Sequence, residues 1–159
     1  MDKFKSLALP KIIPPLDETF RPAVLVKRAF QTEVRRTGQT QKLVIGLERN
    51  GGALSRFETT IFHDDHPDAV HSIAYIERIV KFLLWQRGGK KLFIGGSERI
   101  GSYLQSVYSP EGERSFDFNF MSRVYDHPLE IVTCSLENVP PEKEIQTSLG
   151  RHLDGNRIG

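Results

Sequence analysis

At 159 residues, with 38% hydrophobic and 26% charged positions, the chain has the size and make-up of one globular domain. Lys and Arg number 22 against 20 Asp and Glu, so no bulk charge draws the molecule toward nucleic acid or a membrane surface. The single cysteine, Cys134, excludes an internal disulfide, and no apolar run reaches the roughly 20 residues of a membrane span, so a soluble cytoplasmic protein is expected.

Pro10, Pro14 and Pro15 make residues 1–21 an extended, proline-rich arm, expected to lie on the domain or on a partner. With Lys11 they also break the apolar run that a signal peptide would need. An α/β domain is expected over 22–136, followed by a linker over 137–159 that leads toward a further domain. Pro22 suits the first turn of a helix running to Arg36, with Thr37-Gly38 as its stop.

"QKLVIGLERNGGALSRFETTIF" predicts a hairpin, because Asn50-Gly51-Gly52 supplies positive φ values between two β-rich runs. A long helix is expected over 67–87. Pro67 would open it, Asp68 would complement its N-terminal dipole, and Gly88-Gly89 would end it. Its apolar positions cover more than half the wheel and leave His71, Arg78 and Lys81 as a narrow polar stripe, which predicts packing on two sides.

"KKLFIGG" then reads as a short buried strand, and "SERIGSYLQSVY" as a helix capped by Ser97. In "SFDFNFMSRVY", Phe116, Phe118 and Phe120 alternate with Asp117 and Asn119, the period of a strand with one buried face. "LEIVTCS" predicts a further strand after the break at Asp126-His127-Pro128. The expected fold class is therefore α/β, a mixed sheet with helices, and the long helix lies across one face. Ribonuclease-H-like and actin-like modules share this order of hairpin, long helix, strand and helix, although fold alone does not give function.

Four stretches bear on chemistry. In "LFIGGSERIG", a strand runs through Gly95 and Gly96 into a helix capped by Ser97, which aims backbone N–H groups and a positive dipole at one point, as a nucleotide or anion site would. No lysine completes a phosphate loop there and no third glycine completes a dinucleotide fingerprint, so a tight structural turn is the plainer account. His63, Asp64, Asp65, His66 and His71 crowd the start of the long helix, where capping explains them better than a metal does. Lys27, Arg28, Arg35 and Arg36 read as a solvated basic face of the first helix, since neither a second helix at helix-turn-helix spacing nor an aromatic ladder accompanies them. Cys134 reads as a buried, inert thiol, and Trp85 as core or as an interface anchor.

The stretches "FRPAVLVKRAF", "LVIGLERNGGALSRFET", "YIERIVKFLLWQRGGKKLFIGG" and "LGRHLDGNRIG" resemble the N-terminal region of a group of ROK proteins (repressor, open reading frame, kinase), which are actin-like sugar kinases and their relatives. In that group "LGRHLDGxRIG" leads into a strand bearing a pattern like F-D-L-G-x-S-D, the phosphate loop that holds ATP and its magnesium ion. The resemblance implies that Arg157-Ile158-Gly159 opens the first strand of a kinase domain, and that the catalytic aspartate and the cysteine-rich zinc motif lie beyond Gly159. It carries no catalytic residue, cofactor or metal ligand onto this chain. The implied role is a non-catalytic accessory domain that packs on the following kinase-like domain or forms a homodimer. A stand-alone nucleotide- or anion-binding module using Gly95, Gly96 and Ser97 is the alternative, and binding to nucleic acid ranks last.

Overall fold

The computed structural model describes residues 23–144. Helix α1, Ala23–Thr37, buries Val26, Phe30 and Val34, spaced four residues apart on one face. Strands β1, Thr40–Glu48, and β2, Leu54–Phe62, form the expected hairpin. Gly51 and Gly52 turn the chain at φ 70° and 77°, and the Arg49 N–H donates to the Ala53 carbonyl at 2.8 Å. Helix α2, Ala69–Arg87, follows, then strand β3, Lys91–Gly95, helix α3, Glu98–Val107, helix α4, Ser115–Val124, and strand β4, Glu130–Cys134.

The four strands form one mixed sheet in the order β2-β1-β3-β4. Strand β1 runs antiparallel to both neighbours, whereas β3 and β4 are parallel and are joined by the α3–α4 crossover. Register places Ile45 beside Ile94 and Leu47 beside Leu92, and Leu92 beside Ile131. These residues and Leu43 join Phe30, Ile76, Val80, Leu84, Ile100 and Leu104 in one core beneath the helices. Each such side chain contributes about 1.5–3 kcal/mol by leaving water. The opposite sheet face holds Val44 and Gly46. There Val139, only 3% exposed, packs against Gly46 and Gly95. Residues 136–144 thus lie back across the sheet, and Lys143 pairs with Leu54 through two backbone hydrogen bonds of 2.8 and 2.9 Å.

The mixed α/β architecture is the expected one, but two elements differ. Residues 115–124, whose alternating phenylalanines predict a strand, form α4 instead. Phenylalanines two apart also lie four apart, and the four-residue spacing wins. Phe116, Phe120 and Val124 share the outer face, while Asp117 and Met121 point inward and are buried. Asp117 also sits in the first turn, where its charge suits the helix dipole. Helix α2 begins at Ala69, after Pro67 and Asp68, and packs on the sheet with α1 on one flank and α3 and α4 on the other, but part of its surface is left open among the described residues. Val70 is 53% and Phe82 61% exposed on its outer side.

Candidate functional site

The turn at Gly95-Gly96-Ser97 is built as a strand-to-helix junction. Gly96 takes φ +104°, and a Cβ there would run into the Lys42 carbonyl oxygen. Leu136 and Val139 close over the two glycines from the other side. The Ser97 hydroxyl caps α3, accepting from the Ile100 N–H at 3.2 Å, and donates to the Asp64 carboxylate, 3.0 Å away. A carboxylate therefore already stands before the N-terminus of α3, where an arriving anion would meet its repulsion. In sequence Asp64 shares a turn with the neighbouring histidines, and the fold carries it to Ser97.

The other polar residues before α2 shape the same turn. The ring nitrogen Nδ1 of His63 accepts from the Asp65 N–H at 3.3 Å, and that of His66 accepts from the Asp68 N–H at 3.0 Å. His66 stacks on Phe62, with centroids 4.8 Å apart, and His71 lies 3.9 Å from Asp68. Side-chain-to-backbone bonds thus shape the turn ahead of α2, and Asp64 reaches across to Ser97. On α1, Arg36 pairs with Glu33 at 2.7 Å and Arg35 donates to the Gln31 carbonyl, so half of that basic face serves its own helix. Cys134 is half-buried rather than fully buried. Burial first, and the charge of Glu137 second, push its thiol above the ordinary value and hold it protonated.

A different surface stands out. Trp85 on α2 stacks with Phe120 on α4 at 4.9 Å between centroids, and Phe116 lies 6.3 Å from each of them. Phe82 continues this face along α2 beside Trp85. The rings stay exposed, Phe116 by 71% and Trp85 by 45%. Exposed aromatics gathered in one patch cost solubility unless something covers them.

The patch is also held in place. The Trp85 indole N–H donates to Asp117 Oδ1 at 2.7 Å, and Asp117 is 5% exposed. Glu77 on α2 accepts from Arg114 Nε at 2.7 Å and from the Tyr103 hydroxyl at 3.0 Å, tying the start of α4 and the middle of α3 to α2. The hydrogen bond to Glu77 raises the Arg114 pKa, and burial followed by that same carboxylate raises the Tyr103 pKa. Fixed rings lose little entropy when a partner covers them.

Of these residues only Trp85 reads in the sequence as an interface anchor. Phe82, Phe116 and Phe120 read there as core, because a face left open looks the same in one dimension as a face that is packed. The alternation signal at 116–120 hid the helical stripe.

No family model matches the chain, and neither a curated protein nor a solved structure is similar to it.

Proposed function

We propose that this domain acts by contact: it is a non-catalytic packing module whose working surface is the aromatic face of α2 and α4. The observation that supports this is the Trp85–Phe120–Phe116 stack, exposed yet fixed by the buried Asp117. A Trp held this way is the kind of anchor that dominates the energetics of protein interfaces. The resemblance to ROK proteins narrows the partner to a kinase-like domain of the same polypeptide, to which ATP and magnesium would belong. That narrower assignment rests on the sequence resemblance and is tested by reading the coding sequence downstream of the Gly159 codon.

Hydroxyl-radical footprinting tests the contact itself. In cells that make the protein, Trp85, Phe116 and Phe120 should be oxidised several-fold more slowly than in the purified domain, while exposed Pro110 serves as the internal reference. Equal oxidation in both settings would count against a covered face. Calorimetric titration with ATP, ADP and sugar phosphates should give no heat, because Asp64 fronts the Ser97 turn. Measurable binding there would favour the ligand-binding alternative.

A further inference from the structure

Beside the aromatic face a groove of about 340 Å³ runs between the first turns of α1 and the middle of α2. Its floor is apolar, formed by Val24, Tyr75, Ile79 and Phe82, and Lys27 and Arg78 stand on its rim. Beyond Phe82 a shallower extension reaches Trp85, with Lys81 and Gln86 alongside. Lys27, Arg78 and Lys81 are all exposed. Among the described residues, no Asp or Glu forms an ion pair with any of the three. Phe82 links the groove to the aromatic face.

From this juxtaposition we infer that the groove seats an acidic amphipathic segment of the partner, most simply one helix whose apolar side chains fill the floor while its carboxylates meet Lys27, Arg78 and Lys81. An apolar floor asks for side chains at helical spacing, and an unpaired cationic rim asks for acid. Charge also decides among occupants. Residues 1–22 carry four Lys and Arg against three Asp and Glu, and residues 145–159 carry two against one, so neither end of this chain brings an excess of acid. A second copy meeting this groove about a two-fold axis would bring Arg78 and Lys81 against their own equivalents. A nucleic acid would satisfy the cations, but Tyr75 is buried and stacked on Phe30, and the Trp85, Phe116 and Phe120 rings already stack on one another, which leaves Phe82 alone among these rings to receive a base.

This assignment rests on the aromatic face being a contact surface, and the test separates the two. A random 12-residue peptide library is panned against the immobilised full chain, and parallel pannings use Phe82→Ser, Phe116→Ser/Phe120→Ser and Arg78→Glu/Lys81→Glu. Every substituted side chain is exposed, and a thermal melt of each variant confirms the fold. The expected binders carry Leu, Ile, Phe or Trp at helical spacing together with Asp or Glu. Their affinity should fall about tenfold or more on Phe82→Ser and on the charge reversal, and should weaken with salt. Binders that lose affinity on the two serine variants yet show no acidic bias overturn the partner chemistry and leave the contact surface standing. Binders unaffected by either serine variant, or no binders at all, overturn the groove as a docking site. A 12-nucleotide single strand that binds and is released by the charge reversal, with no acidic peptide competing, overturns it in favour of nucleic acid.

Discussion

Gly96 shows how little freedom a single position can have. Its φ of +104° lies where side-chain-bearing residues rarely go, and the space that a Cβ would need belongs to the Lys42 carbonyl. Gly96→Ala should therefore cost about 2 kcal/mol or more, read as a lower urea midpoint with an unchanged slope. A stability equal to the parent's would show that the junction relaxes freely. Asp117 and Trp85 form the second case. Trp85→Phe keeps a ring but leaves a buried carboxylate without its donor, at a cost of about 1–3 kcal/mol. Asp117→Asn keeps an oxygen to accept the indole N–H and should cost less. If the two variants rank the other way, the hydrogen bond is not what holds the indole. Cys134 carries a pH prediction. Its folded thiol titrates above the ordinary 9.0, so protonation favours the folded state. That contribution is complete below the ordinary thiol range and is lost as pH rises through the raised value. At pH 8 iodoacetamide should modify the folded protein more slowly than the urea-unfolded chain, and the gap should close in alkali.

At the scale of elements, α4 carries its own test. A strand would bury Phe116, Phe118 and Phe120 together, whereas the helix buries Met121 and turns Phe116 and Phe120 outward. Met121→Ala should cost about 2–5 kcal/mol, and Phe120→Ala distinctly less. The reverse order would restore the strand. Much of the fold was legible in the sequence because several signals agreed at once. At the hairpin, β-rich runs and Asn50-Gly51-Gly52 point the same way, and at α3 the Ser97 cap marks the start that the helix in fact takes. At 115–124 two periods coincide over too few residues to choose between them, and the deciding fact, that Asp117 has a partner 32 residues away in Trp85, is tertiary. The aromatic face escapes the sequence for a related reason. The glycine turn has a local signature and was seen, whereas the aromatic face is assembled from two helices and is defined by what does not cover it.

At the scale of the molecule, the two faces of the sheet are served unequally. Helices bury one face, and residues 136–144 lie along part of the other. Proline-rich and polar, that segment looks in sequence like a departure from the domain. In the structure Val139 is buried against Gly46 and Gly95, its carbonyl accepts from Arg56 at 2.9 Å, and Lys143 extends the β2 edge at Leu54. That bridge protects only the Leu54 end of the edge, where an open strand row would invite pairing with other chains. A chain shortened to end at Ser135 would uncover Val44, Gly46 and Phe93 and leave Arg56 without its acceptor. It should lose about 3 kcal/mol or more, from one buried valine and the hydrogen bonds that go with it. The loss should register as a lower urea midpoint, with dye binding to the newly exposed sheet and a tendency to associate. Should the shortened chain keep the parent's midpoint and stay monomeric, the segment would be a passenger on the sheet and the helices alone would account for the stability. The sharper control is Val139→Ala in the whole chain. It removes the contact but not the backbone pairing, and should reproduce about half of the truncation's effect if packing and pairing contribute comparably.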